Sequence, residues 1–596
     1  MDRNVVTATI LIALIMVVWL TWLTPPAPMP EPIPADSTAV LEAESVEPPP
    51  PAPLGEESLR TVGQLEADST IAGVVDGEER TISVSTDLYT AVLSTRGATI
   101  RSMELLEYRD AADSSLVQLV DTSLAGALSL VFTTPSNRVY DSRSFYFESN
   151  VEEQSVVVGD DGFEVAFRTQ IGEGAITKRY SFRNDSYEVG LEIDLERPET
   201  FLTPSGYELI WNGSVPFTEV DIQNEAQMSG AYARSGGHVE GATVQSEPYT
   251  ENSIRGDVDW VAVKSKYFTT VILPDNPGRG AELIAEREGE LDSPDLSLNF
   301  SAALAMRTPE ASDGFRLYLG PMELSRIRRY DADLYHMVDF GWDFFARVTR
   351  PLAKYVFVPV FNFLAGFIPN YGLVIIIFSI LVKLLVYPLT KSSFTSMAKM
   401  RELQPRMEAI KAKHPDSPQK QQEAMMKMYK ETGVNPLGGC LPMLLQYPII
   451  IALWQFLPQA IEIRQQGFLW AADLSAPDVL VHLPFTIPLY GDFVAGFTVL
   501  MGLSMVVQMR LQGNMSSNPQ AKIFTYVFPV MIFVIFNRLA AGLNLYYLCY
   551  NVLSAAQQKL INAQLQKHPE ELEPKKKAKS TSSKPGRRGS GKGKRR

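Results

Sequence analysis

The sequence contains few residues suited to covalent, metal or nucleotide chemistry. Only two cysteines occur, Cys440 and Cys549, and they lie far apart in apolar segments, which argues against a disulfide framework or a cysteine zinc site. The five histidines are scattered, without the spacing of a zinc-binding helix. The nearest match to a phosphate-binding loop, at 586–593, has Gly593 where serine or threonine is required. These absences disfavour a metalloenzyme or a nucleotide hydrolase.

Charge is distributed unevenly along the 596 residues. The whole chain has 54 basic and 68 acidic residues and a formal net charge of −14. Residues 575–596 contain 11 Lys and Arg and no acid, so residues 1–574 carry a net charge of −25. A basic tail on an acidic body indicates that the two parts meet different partners or compartments.

The N-terminal segment combines an apolar run with a proline-rich stretch. Residues 5–23 carry no charge and are long enough, at about 1.5 Å per residue, to cross a ~30 Å hydrocarbon core. A cleaved signal peptide is the alternative, but the run ends with Trp19 and Trp22, which favour a membrane interface and a retained signal anchor. Residues 24–58, rich in Pro and Glu, are interpreted as an extended linker.

Residues 60–325 have the pattern of a β domain. Short segments of alternating polar and apolar residues are separated by Gly, Asp, Asn and Pro, as at 81–85, 91–94, 164–168 and 187–193. The absence of a long helical pattern predicts one large antiparallel β-sandwich domain.

Beyond residue 350 the chain is mostly apolar, and five further membrane spans are predicted. They are 371–389, 437–461, 490–510, 523–537 and 540–560. Together with 5–23 they predict a six-span α-helical bundle. The apolar run at 523–537 is short for a ~30 Å core, which implies tilted neighbours or a locally thinned bilayer.

The distribution of charge predicts the topology. Residues 391–433 form a predicted helical hairpin with nine basic and five acidic residues, so the positive-inside rule places it in the cytoplasm with both termini. The β domain then lies outside. If 338–368 crossed the membrane, this hairpin would change sides, so 338–368 is predicted to be an amphipathic helix in the interface.

Lys383 is the residue in the predicted spans that most needs a physical explanation. An ionisable group in mid-membrane costs about 2.5–3.5 kcal/mol on insertion scales. Its side chain either reaches the cytoplasmic interface or projects into a hydrated cavity. Ser379 lies one turn before it, and the interiors of the other spans supply amides and hydroxyls but no acid. An unpaired cation beside such groups favours a site that meets polar groups of a substrate.

The predicted hairpin carries a stripe of methionine and aliphatic residues on each arm. The first arm has Met400, Leu403 and Met407 at helical spacing, and the second has Met425 and Met428. Such a stripe is usually core packing, but an adaptable apolar contact surface is the alternative.

Several motifs closely resemble those of the YidC membrane protein insertase family, of the Gram-negative type with a large periplasmic domain. They are YPLTK at 387–391, TSMAKM at 395–400, LQP at 403–405, NPLGGC at 435–440 and LYYL at 545–548. Their order and spacing match over 370–562, and the predicted architecture matches over the rest of the chain.

The resemblance implies an ATP-independent insertase and chaperone of the bacterial inner membrane that works alone or with the Sec translocon on nascent membrane proteins. It implies no enzymatic activity and no cofactor. In the family a hydrophilic groove holds one positive residue, which corresponds to Lys383, although many relatives carry Arg there. Lysine cannot form a bidentate pair with a carboxylate, so only the charge is expected to be retained. The expected groove residues are Lys383, Ser379, Gln446, Tyr546, Tyr547 and Asn551, and the hairpin is expected to receive the substrate through Met400, Leu403, Met407, Met425 and Met428.

The basic tail is expected to contact ribosomal RNA, with anionic lipid as the competing partner. The residues expected to make this contact are Lys575, Lys576, Lys577, Arg587, Arg588, Arg595 and Arg596.

Two other functions stay open from the sequence. A small-solute transporter would show paired intramembrane charges or inverted repeats, and neither is evident. A membrane-anchored carbohydrate-binding module would place the function in the β domain, where Asp257, Asp259 and Trp260 form the nearest cluster.

Overall fold

The computed structural model describes residues 71, 73–291, 293, 295–309, 312–330, 334–337, 349–415, 417–432, 441–488, 490–512 and 519–567. The predicted anchor 5–23, linker 24–58 and basic tail 575–596 lie outside these residues. The described chain forms a β region, from Thr81 to Pro321, followed by a helical region from residue 349 onward.

In the part of the β region that the structure describes, the strands form two sheets. Its strands are β1 Thr81–Ser85, β2 Tyr89–Ser94, β3 Thr99–Arg109, β4 Leu116–Gln118, β5 Ser129–Thr133, β6 Val139–Asp141, β7 Glu148–Ser149, β8 Ser155–Val157, β9 Phe163–Ile171, β10 Gly174–Phe182, β11 Glu188–Glu196, β12 Tyr207–Asn212, β13 Gly230–Ser235, β14 His238–Ala242, β15 Tyr249–Lys264, β16 Phe268–Pro274, β17 Gly278–Glu288, β18 Ser297–Met306 and β19 Ser312–Pro321. Within the described residues, the larger sheet has the order β6-β5-β12-β18-β17-β15-β16-β19-β11-β10-β9-β7, with β13 beside β15 and β14 beside β13. The smaller sheet has the order β4-β3-β2-β1-β8.

Alternation of apolar and polar residues determines which strand faces are buried. In β11 every second residue from Val189 to Leu195 is buried, as expected for a sheet with one face on a core. Among the described strands, the pairs are antiparallel except for one: β1 pairs in parallel with β8, through Ser83 opposite Ser155. The sheets are antiparallel as predicted, with this edge pair as an exception, because the long connection from β1 to β8 lets the later strand run in the same direction.

Two buried polar side chains of β10 join the large sheet to the small one. Tyr180 Oη donates a hydrogen bond to the Ala98 carbonyl at 2.7 Å. Lys178 Nζ donates to the carbonyl oxygens of Gly97, at 2.9 Å, and Leu128, at 3.1 Å. Burial lowers the pKa of Lys178 to about 7, although the charge of Asp141 acts in the opposite direction.

The helical elements are α1 Ile222–Met228 and α2 Leu324–Ile327 in or next to the β region, then α3 Val358–Ala365, α4 Tyr371–Glu402, α5 Gln404–Lys413, α6 Pro418–Thr432, α7 Leu441–Phe456, α8 Gly496–Gln512, α9 Pro519–Phe536 and α10 Ala541–Lys567. A two-stranded hairpin, β20 Val479–Ile487 and β21 Gly491–Ala495, precedes α8. One described helix has an 18-residue window that is long and apolar enough to cross a membrane, Tyr371–Pro388, with a mean hydropathy of 2.2.

Two predicted spans differ from the helices found. The predicted span 490–510 begins with strand β21, and helix α8 starts only at Gly496. The apolar residues 493–495 pair with β20, which hydropathy alone cannot distinguish from the first turn of a helix. The predicted span 437–461 ends early, because α7 stops at Phe456 and a 3₁₀ turn containing Pro458 follows.

The predicted hairpin 391–433 also differs from the structure in its first arm. Helix α4 continues through residue 391 to Glu402, so the start of that arm is part of the helix that carries Lys383. The break comes at Leu403, and Pro405 occupies the first turn of α5, a position where the missing N–H is tolerated. Pro388 lies inside α4, so neither this proline nor the change from apolar to polar residues ends the helix.

The described part of the predicted interfacial helix 338–368 is half embedded in protein. Phe357 and Phe361 pack their rings on Phe378 of α4, with centroids 5.4 Å and 4.9 Å apart. On the other side, Tyr355 and Phe363 are exposed. Residues 338–348 lie outside the described part, and the interfacial placement stays a prediction.

Candidate functional site

Lys383 points into the helical bundle from α4. Its side chain is 6% exposed, and Nζ donates a hydrogen bond to Ser554 Oγ on α10 at 2.7 Å. The ammonium lies 4.5 Å from the ring centroid of Tyr550 and 5.2 Å from that of Phe394. No described acidic residue forms an ion pair with it. The alternative in which Lys383 reaches a membrane interface therefore does not describe this conformation, since protein groups hold the ammonium by a hydroxyl and two aromatic faces.

The other predicted groove residues of α4 and α10 do not all lie on the side of Lys383. Ser379 is fully buried, and its Oγ donates to the Ile375 carbonyl of its own helix at 2.8 Å. Tyr546 is also fully buried and packs between Phe378 and Tyr550, on the side of Lys383. Tyr547 instead packs edge-on against Phe536 of α9, with centroids 5.2 Å apart. The structure thus brings Tyr546 toward Lys383 and places Tyr547 against another helix.

A polar face runs along the buried side of α10. Asn551 Nδ2 donates to Ser504 Oγ of α8 at 3.1 Å, and Asn544 Nδ2 donates to Thr498 Oγ1 of the same helix at 2.9 Å. Gln557 Nε2 donates to Thr390 Oγ1 of α4 at 3.2 Å. These pairs connect α10 to both α8 and α4, so the interior between the three helices is lined by amides and hydroxyls.

Several polar atoms on this face are left unsatisfied. Within the described residues, four buried oxygens of α10 have no hydrogen-bond partner: Asn544 Oδ1, Tyr546 Oη, Gln557 Oε1 and Gln558 Oε1. A buried polar group without a partner costs about 1–3 kcal/mol, and native proteins usually satisfy such groups with ordered water. These atoms therefore indicate where water, or polar groups of a bound chain, would be stabilised along α10.

Three residues that contact Lys383 were not predicted from the sequence: Ser554, Tyr550 and Phe394. Ser554 and Tyr550 lie three residues after and one residue before Asn551, so the polar residues of α10 could have indicated them. No sequence pattern indicated Phe394, because its approach to the ammonium depends on how α4 and α10 cross. Pairings across 171 residues, such as Lys383 with Ser554, are not encoded in local pattern.

The remaining predicted residues lie on α7 and on the hairpin of α5 and α6. Gln446 lies on α7, and its side chain is outside the described part. Leu403 and Met428 are buried against each other, with Met400 and Met407 packed around them. Met425 is half buried, and its neighbour Met426 is exposed. The stripe thus packs the two arms together in this conformation.

Comparisons with known proteins identify the family of this chain. A model of the 60Kd inner membrane protein family matches residues 363–568, and a model of the YidC periplasmic domain matches 81–355. The chain is 39% identical to a membrane protein insertase YidC of Prosthecochloris aestuarii, over 94% of this chain and 95% of the relative. The chain belongs to the YidC membrane protein insertase family. A relative of the same name in Chlorobium phaeovibrioides is also 39% identical, with the same shares of the two chains covered.

Among solved structures, the YidC family is represented by an active YidC insertase crystal structure with its first transmembrane domain resolved. It is 19% identical and covers 81% of this chain and 93% of that chain, with a TM-score of 0.32. The resemblance inferred from the motifs is confirmed by the family matches. Members of the YidC family are multi-pass proteins of the inner membrane, and this chain is one of them.

Proposed function

We propose that this chain inserts integral membrane proteins and helps them to fold, through a hydrophilic, positively charged groove between α4, α8 and α10. The observation that carries the proposal is Lys383, an ammonium inside the bundle that is hydrogen-bonded to Ser554 and has no acidic partner among the described residues. A buried cation without a counterion attracts negative or polar groups that arrive from outside.

The proposed mechanism is physical and requires no catalytic residue and no cofactor. A short polar or acidic segment of the client exchanges bulk water for groups of the groove. Its acidic groups accept from the ammonium of Lys383, and its N–H and O–H groups donate to the unsatisfied oxygens of α10. This lowers the cost of bringing such a segment into the membrane, because each polar group finds a partner there. The apolar helix of the client then moves sideways into lipid, driven by removal of its own apolar surface from water.

Entry of a client requires the site to open. Phe394 and Tyr550 cover the ammonium, and Phe394 packs with Ala398 and Ile561 in a small cluster at one end of α4 and α10. In the proposed mechanism this arrangement is the closed state of the groove, and opening involves displacement of Phe394. The hairpin of α5 and α6 continues from this end of α4. A client arriving from the cytoplasm would first be received there, and it would contact the methionine stripe only after the two arms that the stripe now packs together have separated.

The proposed topology has six spans, with 5–23 as the first, both termini in the cytoplasm and the β region in the periplasm. The proposed partners are nascent membrane proteins, the Sec translocon, the lipid bilayer and the ribosome. Residues 575–596 supply the ribosome contact, so their deletion should lower co-sedimentation with ribosomes, most clearly at low salt. Unchanged co-sedimentation would exclude this role of the tail.

Photo-crosslinking tests whether clients occupy the groove. A photoreactive residue in place of Asn551, which is buried beside Ser504, is expected to crosslink a nascent single-span client stalled on the ribosome. The matched control is the adjacent Val552, which is 54% exposed on the outside of the same helix. Crosslinks from position 552 alone would place the client path outside the groove and contradict the proposal.

A further inference from the structure

The hairpin of β20 and β21 exposes an apolar surface that the proposed groove does not use. Eight of the nine residues of β20 are exposed, and they include Val481 and Phe485, at 58% and 61%. Residues 479–491 contain no Asp, Glu, Lys or Arg. Edge strands in contact with water are normally protected by charged residues, so this strand lacks the composition of a water-facing edge.

The hairpin is held firmly at the end of α9. Asn537 is fully buried, and its Nδ2 donates to the carbonyl oxygens of Tyr490, at 3.1 Å, and Phe493, at 2.8 Å. The Ala495 N–H donates back to Asn537 Oδ1 at 2.9 Å. The ring of Tyr490 stacks on Phe533 of α9 with a centroid distance of 5.6 Å. The apolar exposure therefore belongs to an ordered element with a fixed position.

The exposed surface continues directly onto a helix of the membrane bundle. Helix α8 begins at Gly496, the residue after β21, and exposes one aliphatic face. That face consists of Leu500, Leu503, Val506 and Val507. In a multi-pass membrane protein, an exposed aliphatic helix face meets acyl chains. Beside the hairpin, the half-exposed Trp470 donates from Nε1 to Asp478 Oδ2 at 2.7 Å, an arrangement suited to the membrane–water interface.

The hairpin lies at the end of the bundle that meets the β region. Tyr267 Oη of the β region donates to the Pro458 carbonyl at 2.8 Å, and Gln465 Nε2 donates to the Arg109 carbonyl at 2.9 Å. Pro458 and Gln465 belong to the connection between α7 and the hairpin.

We propose that the β20–β21 hairpin is a lipid-binding element that lies in the bilayer interface on the side of the β region, with the apolar side chains of β20 among the outer acyl chains. Its depth is limited, because β20 pairs only with β21 among the described residues and its free edge needs water or headgroups. Bound in this way, the hairpin fixes the depth of α8 and α9 beside the groove.

Site-directed spin labelling of the full chain in phosphatidylethanolamine–phosphatidylglycerol liposomes tests this placement. Nitroxides are attached to Leu480→Cys or Phe485→Cys after replacement of Cys440 and Cys549 by serine. The control is Val157→Cys, since Val157 is an exposed strand valine of the β region, far from the helices in sequence. The ratio of collisions with oxygen to collisions with a water-soluble nickel complex is expected to be severalfold higher at 480 and 485 than at 157.

Two results would overturn the proposal. An equal ratio at all three positions would show that β20 faces water. Low accessibility to both reagents at 480 and 485 would show that protein covers the hairpin, either a second copy of the chain or a client. Neither result depends on insertion activity, so the lipid-binding element and the insertase function are tested separately.

Discussion

Replacement of Lys383 by methionine is expected to lower the insertion of a client with an acidic translocated segment by about tenfold or more. A hydrogen bond to a charged group contributes about 1.5–3 kcal/mol, and each 1.4 kcal/mol corresponds to a factor of ten. The measurement is protease protection of the client's translocated segment in liposomes that contain the purified chain. A client whose acids are replaced by asparagine and glutamine should be affected less.

The controls separate the charge of Lys383 from its packing. Lys383→Arg should retain most of the activity, whereas Lys391→Met, at an exposed position of the same helix, should have little effect. The melting temperature of Lys383→Met should be unchanged or higher, because a buried charge has been removed. Equal activity of Lys383→Met and the unmodified chain on the acidic client would contradict the role of the ammonium.

Replacement of Arg464 by methionine is expected to destabilise the contact between the β region and the helical region by about 3–5 kcal/mol. Arg464 Nε lies 2.6 Å from Glu219 Oε1, and both side chains are almost fully buried. Arg464 Nη2 also donates to the Thr218 carbonyl at 3.0 Å, and the guanidinium packs on the ring of Tyr267. Without Arg464, Glu219 loses its closest counter-charge. Hydrogen exchange of peptides covering 217–226 and 457–466 should then accelerate by about 10²- to 4 × 10³-fold.

A second substitution and an exposed ion pair provide the controls. The double variant Arg464→Met, Glu219→Leu should recover most of the protection, because the two partners of the buried ion pair are removed together. Arg168→Met removes an ion pair with Glu196 whose side chains are 45% and 47% exposed, and its effect should stay below about 1 kcal/mol. Equal effects of Arg464→Met and Arg168→Met would show that the buried pair does not hold the two regions together.

The pH dependence of the Arg464→Met variant follows from Glu219. Burial raises the pKa of Glu219 above its ordinary value, while Arg464 and Lys266 counter this effect. Removal of Arg464 raises the pKa of Glu219 further. Between the ordinary glutamate pKa of the unfolded chain and this raised pKa, the folded state holds more protons than the unfolded state. The free energy of unfolding must therefore fall as pH rises through this range, and it must fall more steeply in the variant than in the unmodified chain.

Local pattern predicted much of the secondary structure, and it singled out Lys383 within the bundle. Alternation identified strands such as Thr81–Ser85, whose bounds match, because one buried face imposes a period of two. Lys383 was identifiable because an isolated charge in an apolar helix is rare. The amides of α10 were visible for the same reason, although their partners were not.

Long-range pairing could not be predicted from the sequence. Strand β12 pairs with β18 across nearly 100 residues, with Tyr207 opposite Met306, and no local signal specifies that neighbour. The start of α8 was misplaced for the same reason, since β21 is a strand only because β20 lies beside it. The contact of Arg464 with Glu219 likewise depends on how the β region meets the helices.

The most direct measurement of the central claim is insertion of a single-span client into liposomes that contain this purified chain as their only protein. Protein-free liposomes of the same composition define the spontaneous rate, and protease protection reports the translocated segment. The account predicts that the unmodified chain inserts the client well above that spontaneous rate. It also predicts that Lys383→Met loses a large part of this increase. Insertion equal to the spontaneous rate, in a chain shown by its melting curve to be folded, would contradict it.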